Sequence, residues 1–143
     1  MRIEALIKEK QVETISAEES VQYLLRCLKT FNIGAMVVSK DGKVIDGIVS
    51  ERDVVRSLSN KEVKVDELRV QEIMTVDVFT CKPEASVAEI MAMMTAKRIR
   101  HVPVVDEKGD LLSIVSIGDV VKHHLIEISL ENQTLKEYLS TAR

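Results

Sequence analysis

Only two cysteines, Cys27 and Cys81, occur among 143 residues. That is too few for a disulfide framework, and they form no metal-type cluster; both read as small buried apolar residues. A basic excess is missing too. The formal net charge is −3, and charges of both signs mingle as on an ordinary solvated surface. With aromatics at only 3%, this argues against nucleic acid, which asks for cationic surface and stacking rings. No apolar run approaches the roughly 20 residues of a membrane span. The opening "MRIEALIKEK" lacks the apolar core of a signal peptide. The expectation is a cytoplasmic protein with no membrane partner. Catalytic signatures are lacking as well: there is no H-E-x-x-H, P-loop or G-x-G-x-x-G. Of the three histidines, His101 stands alone, and His123 and His124 are adjacent and point different ways on a helix. Neither a metal site nor a catalytic set is expected, so the chain reads as non-enzymatic.

What the chain does have is a repeat. "GIVSERDVV" (47–55) and "SIVSIGDVV" (113–121) are both an apolar strand ending on serine, with aspartate three residues later. A shift of 66 residues superposes Val12 on Val78, Thr14 on Thr80, Glu18 on Glu84, Ser20 on Ser86, Ile33 on Ile99 and Val38 on Val104. It also superposes Val49-Ser50 on Val115-Ser116 and Asp53-Val54-Val55 on Asp119-Val120-Val121. So many coincidences at one offset mean two copies of one unit.

Each copy reads as β-α-β-β-α. "VETI" and "VFTC" are short strands. "AEESVQYLLRCLKTFN" and "PEASVAEIMAMMTAKR" are amphipathic helices. Leu24, Leu25 and Leu28 line one face of the first; Val87, Ile90, Met91 and Met94 line one face of the second. Ser20 and Ser86 sit at the helix starts. "AMVVS" and "VIDGIVS" pair across Lys40-Asp41-Gly42, and "HVPVV" and "LLSIVS" pair across Lys108-Gly109-Asp110. Each copy ends in a corner helix, "ERDVVRSL" or "IGDVVKHHLIEISL". The fold class is α/β (α+β), with the two pseudo-symmetric units packed sheet to sheet, since one alone is marginal in size. The expected division is 1–60 for the first unit with a short N-terminal helix (Ile3, Leu6, Ile7), 61–128 for the linker and second unit, and 129–143 for a separate polar helical tail.

Two corners of this kind suit a nucleotide. A carboxylate accepts both hydroxyls of a ribose at once, which is the role open to Asp53 and Asp119. Ser50 and Ser116 stand where free backbone N–H groups and the helix dipole favour phosphate. The same Ser-x-x-Asp pattern is also a capping box, and that reading stays open. The copies differ in charge. "KRIRHVP" brings Lys97, Arg98, Arg100 and His101 together ahead of the second copy's strand, where the first copy has "NIGAM". Such a cluster can neutralise a di- or triphosphate. Lys97 and Arg98 can equally complement a helix C-terminus. Arg52 is the first copy's base within the motif; Glu51 beside it opposes polyphosphate, and Gly118 stands at Arg52's place in the second. Unequal sites follow.

The repeated unit resembles the cystathionine-β-synthase (CBS) domain, and two in tandem resemble the CBS pair, or Bateman module. "EIMT", "MTAKRIRHVPVVD" and "SIGDVVK" are similar to stand-alone bacterial and organellar CBS-pair proteins. The resemblance implies clefts between the copies that take AMP, ADP, ATP or NAD, with S-adenosylmethionine a lesser candidate. It implies that the matching positions Thr14, Ile15 and Ser16, and Thr80, Cys81 and Lys82, pack against adenine and ribose. Met36, Val37, Val102 and Pro103 would be walls, or ordinary sheet core. The resemblance implies no catalytic cofactor. It also implies a disc-shaped homodimer, head-to-head or head-to-tail, with the helices after Ser50 and Ser116 as pairing surfaces. A regulatory or energy-sensing module that reports ligand state to an unidentified protein partner is the leading reading. A constitutive dimerisation scaffold, indifferent to nucleotides, is the alternative.

Overall fold

A computed structural model describes residues 1–7, 12–60, 62 and 64–141. Two helices begin and end alike. Helix α1 (Val21–Phe31) is capped by Ser20, whose side chain accepts from Tyr23 N at 3.0 Å. Ser86 accepts from Glu89 N at 3.0 Å at the start of the corresponding helix, Val87–Lys97. Both helices stop at a left-handed residue, Asn32 (φ 53°) in the first and Arg98 (φ 55°) in the second. Asparagine tolerates that conformation; arginine has no such ease, and its β-carbon is strained there.

The first unit's sheet has three strands. β1 (Thr14–Ile15) runs parallel to β2 (Ala35–Val38), which pairs antiparallel with β3 (Gly47–Ser50) in the register Ala35↔Ser50. Helix α2 (Glu51–Leu58) follows β3 directly, and a single helical turn α3 (Val70–Ile73) lies in the linker. The second unit holds α4 (Val87–Lys97), β4 (His101–Val105) and β5 (Leu111–Ser116), paired antiparallel with His101↔Ser116, then α5 (Ile117–Thr141). The strand expected at "VFTC" is reduced to one parallel bridge, Cys81↔Val104. The β4–β5 turn is short, with Gly109 at φ +86° and Asp106 Oδ1 accepting from Lys108 N and Asp110 N at 2.9 Å each. The β2–β3 connection is longer than the expected tight turn. Asp41 Oδ1 accepts from the Lys43 and Val44 amides at 2.9 Å each, and β3 begins only at Gly47. These amide bonds hold the Asp41 carboxyl below its ordinary pKa.

Strand alternation divides the buried residues. Met36, Val38 and Val49 join Val21, Leu24 and Leu28 in the first unit's core, and Val102, Val104 and Val115 join Val87, Ile90 and Met94 in the second's. Ala35 and Val37, on the opposite face of β2, are also buried, as are Pro103 and Val105 on β4. Sheets buried on both faces are the signature of one unit closing over the other. Leu25, expected on the core face of α1, is 38% exposed. It lies 100° round the helix from Leu24, too far to share its burial.

The segments leading into each unit are exchanged. Ile3, expected with the first unit, is fully buried in the second unit's core with Leu6, on a 3-10 turn (Ile3–Leu6). Val70 is fully buried in the first unit's core. The hydrogen bonds match: Ile3 N to Ala85 O at 2.8 Å and Val87 N to Met1 O at 2.9 Å answer Val70 N to Glu19 O and Val21 N to Leu68 O, both at 2.9 Å. "RIEALI" (2–7) and "RVQEIM" (69–74) are thus one more repeated element. Each unit completes its core with the segment that precedes the other. A second departure is α5. The expected tail is no separate helix: residues 117–141 form one helix of 25 residues.

Candidate functional site

The corner between β3 and α2 is locked by its own side chains. Asp53 Oδ2 accepts from Ser50 N at 2.8 Å and from Ser50 Oγ at 3.1 Å. The second corner repeats this: Asp119 Oδ2 accepts from Ser116 Oγ at 3.0 Å, and Ser116 Oγ accepts from Asp119 N at 3.2 Å. The capping role therefore exists at both corners. Both bonds to Asp53 fall on one oxygen. Among the described residues nothing hydrogen-bonds Oδ1, so an acceptor remains for a ligand.

The first corner opens into a cavity of about 360 Å³ between the units, within the roughly 300–1,000 Å³ of small-molecule sites. Ser50, Arg52 and Asp53 line one side, and Arg98, Arg100 and His101 line the other. Two segments supply these groups: the start of α2 and the stretch between α4 and β4. Arg98 owes its position to the left-handed turn that ends α4. The site draws on side chains from both units, as the basic "KRIRHVP" stretch suggested. Four arginines, Arg52, Arg56, Arg98 and Arg100, stand against three carboxylates, Glu51, Asp53 and Asp77.

His101 is not one of the cations at neutral pH. Burial holds its pKa below the ordinary value; Glu51 and Asp119 pull it up and Arg100 pushes it down. A neutral imidazole offers one donor and one acceptor rather than charge. It packs close to Gly34: a β-carbon there would lie 3.3 Å from His101 Cε1 and 3.6 Å from Glu51 Oε1. Gly34 thus leaves room for an acid of the first corner and the imidazole of the second unit to approach one another.

The remaining residues proposed from sequence lie outside the cavity lining. Ser116 and Asp119 belong to the second corner, which contributes Ile117. Ile15, Met36, Cys81 and Val102 point into the cores of their own units. Burial raises the Cys81 thiol to about 11, so it is an inert core thiol. Val37 and Pro103 are buried on the inter-unit faces, Thr14 and Ser16 are half-buried, and Thr80 and Lys82 are exposed. The assignment of Met36-Val37 and Val102-Pro103 as walls conflicts with strand geometry, because consecutive residues face opposite ways. The apolar lining comes instead from Ile48, Val78, Phe79, Ile99 and Ile117. Phe79 is the cavity's aromatic surface, 44% exposed, with Lys97 Nζ 5.3 Å from its ring centroid. Sequence reasoning passed over it by one residue in favour of Thr80. Its rarity was the available clue, since the chain has only two phenylalanines.

The segment 75–79 is held by β3: Thr75 N donates to Ile48 O at 2.8 Å and Ile48 N to Thr75 O at 2.9 Å. Gly47 makes the approach possible, since a β-carbon there would sit 2.8 Å from Thr75 O. The repeat matches this segment to residues 9–13, and 9–11 lie outside the described residues. Among the described residues no cluster of three or more His, Cys, Asp or Glu is placed to hold a metal. Among the described residues no helix is long and apolar enough to cross a membrane.

A family model described as the CBS domain matches residues 5–60 and 70–125. The mitochondrial CBS domain-containing protein CBSX3 of Arabidopsis thaliana is 35% identical over 131 residues, covering 87% of this chain and 62% of that protein. The chain therefore spans about three fifths of that relative's length. A solved protein with CBS domains from Burkholderia ambifaria superposes with a TM-score of 0.81 at 36% identity, covering 88% of this chain and 95% of the other. A CBS domain protein from Pyrobaculum aerophilum, solved in complex with AMP, superposes with a TM-score of 0.75 at 24% identity, covering 83% and 89%. At that identity the likeness is one of fold.

Proposed function

The chain belongs to the CBS-domain family as a tandem pair, and from that premise we propose that it is a regulatory module that binds an adenosine nucleotide between its units. The observation that carries this is the meeting of Asp53 with Arg98 and Arg100 in one inter-unit cavity. Asp53 takes the ribose hydroxyls. The arginines and the start of α2 take phosphate, with Ser50 and Arg52 beside it and His101 as a neutral hydrogen-bonding group. Phe79 and Ile48 flank the base. The AMP complex of the Pyrobaculum protein, which shares the fold, supports the ligand class. The excess of arginine favours AMP, ADP, ATP or NAD over S-adenosylmethionine, whose sulfonium adds positive charge to an already basic lining.

The site has no nucleophile–base–orienter set, so we assign it no reaction. A ligand that bridges the units favours the arrangement in which both halves of the site close on it, and a protein partner reads that arrangement. The completed capping boxes favour a second reading, a scaffold that needs no ligand. Titration calorimetry with AMP, ADP, ATP, NAD, S-adenosylmethionine and GMP separates the two. The sensor reading expects saturable binding of a phosphorylated adenosine ligand, at least tenfold weaker in Arg98→Ala. The scaffold reading takes over if none binds at millimolar concentration.

A further inference from the structure

The repeat places Ala35 and Gly34 where the second unit has His101 and Arg100, and Glu51 where it has Ile117. Matching backbone bonds fix both places: Glu51 N donates to Gly34 O at 3.0 Å, and Ile117 N to Arg100 O at 2.8 Å. One imidazole and one carboxylate therefore break an otherwise paired arrangement, and they meet at the boundary between the units. A β-carbon on Gly34 would lie 3.5 Å from His101 Nε2 and 3.6 Å from Glu51 Oε1. On β5, His101 is paired with Ser116, whose Oγ donates to Asp119 Oδ2 at 3.0 Å. The ring stands between a carboxylate of the first unit and one of the second. Arg100 precedes it in the chain, and Arg52, Asp53, Arg56, Asp77 and Arg98 share its cavity. Among the described residues neither Glu51 nor His101 is in an ion pair.

We propose that His101 is a proton-binding site that regulates the nucleotide cavity: a proton on its imidazole, held between Glu51 of the first unit and Asp119 of the second, strengthens the binding of phosphate. This rests on the nucleotide reading of the same cavity. In the empty protein the balance is against the proton. Burial disfavours the imidazolium more than Glu51 and Asp119 favour it, and Arg100 opposes it. The ring is then neutral, and the Glu51 carboxylate is left to repel an incoming phosphate. A bound phosphate reverses the balance. It sets a further anion beside the ring and engages Arg100, so the ring takes a proton from solvent. The imidazolium in turn pairs with Glu51, which a rotation of that exposed side chain allows. The Glu51 charge then no longer opposes the ligand. Proton and nucleotide favour one another, and the coupling is reciprocal. The first unit has Ala35 in place of the imidazole, so the coupling belongs to one side of the pair.

The test is titration calorimetry with AMP at pH 6 and pH 8 on the wild type, His101→Gln and Glu51→Gln. The phosphate of AMP itself titrates across this range, equally for every variant, so comparison between the chains isolates the protein's share. From pH 8 to pH 6 the wild type should gain about fivefold or more in affinity relative to His101→Gln, the lower end of usual couplings between sites. Glu51→Gln should bind more tightly than the wild type at pH 8 and show a smaller gain. Proton NMR of the His101 Hε1 resonance, assigned by its loss in His101→Gln, supplies a readout on the wild type itself. Its midpoint should lie below the ordinary value of about 6.5 in the empty protein. It should fall further in Glu51→Gln, a measurement that needs no nucleotide, and rise on saturation with AMP. Equal pH dependence in the wild type and His101→Gln, or a midpoint unmoved by AMP or by Glu51→Gln, overturns the proposal and leaves the nucleotide reading intact. No binding of AMP at millimolar concentration at either pH overturns both.

Discussion

Replacing Asp53 by alanine separates the two roles its carboxylate holds. Oδ2 closes the helix start through Ser50 N and Ser50 Oγ. Losing a cap of this kind costs about 1 kcal/mol, and losing a negative charge at a helix N-terminus adds roughly 0.5. For a chain of this size about 1.5 kcal/mol lowers the melting temperature by about 6 °C. Asp119 closes the second corner in the same way, so Asp119→Ala should fall by a similar amount. The variants should part company with AMP present. At 100 times its dissociation constant a ligand stabilises by about 2.7 kcal/mol, a rise of about 11 °C. Two charge-assisted bonds to ribose are worth together about 3 kcal/mol, so Asp53→Ala weakens binding more than about 100-fold. At the same AMP concentration its rise shrinks to under about 2 °C. Asp119 stands outside the cavity, so Asp119→Ala keeps the full rise. Thermal unfolding by circular dichroism at matched AMP concentration reads all four values. An undiminished AMP shift in Asp53→Ala would refute the ribose role and leave the corner as a cap alone.

The His101 imidazole has a lowered folded pKa, so protonation favours the unfolded chain. The contribution is therefore full above the unfolded value of about 6.5 and is lost as pH falls from there through the folded pKa. Melting temperatures measured from pH 7.5 to 5 should decline across that window, and His101→Gln should flatten the decline; an unchanged slope contradicts the assignment. Gly47→Ala forces a β-carbon against Thr75 O and should cost about 1–3 kcal/mol, with weakened nucleotide binding because segment 75–79 shifts; a denaturation midpoint equal to wild type counts against the close approach. Ile3→Ala should cost roughly 2–5 kcal/mol. Hydrogen exchange should then show β4 and β5 losing protection before β2 and β3, the reverse of what chain order suggests.

The repeat was legible because the residues that match at one offset are the ones geometry constrains: cap serines, core valines and corner aspartates. The basic cluster was legible because Arg98, Arg100 and His101 are contiguous. Three features were not. Ile3 and Val70 complete the unit that is not next to them in the chain, and periodicity within a segment carries no record of what it packs against. Met36 and Val102 were placed beside their neighbours Val37 and Pro103, although strand period sends them to opposite faces. The change from the apolar-rich "IGDVVKHHLIEISL" to the polar "LENQTLKEYLSTAR" reads as a division between a corner helix and a tail helix. On one continuous α5 the described residues of that polar stretch are solvated surface.

The central claim is that a phosphorylated adenosine ligand sits between the units, held by both. Titrating AMP into isotope-labelled protein and following backbone and arginine side-chain resonances tests it most directly. The account predicts saturable shifts at Gly34, Ile48, Asp53, Phe79, Arg98 and Arg100 together, residues the two units bring to one cavity, with Leu25 and Val55 on the outer helix faces unmoved. Shifts confined to one unit, or no saturable shift at millimolar AMP, would contradict it.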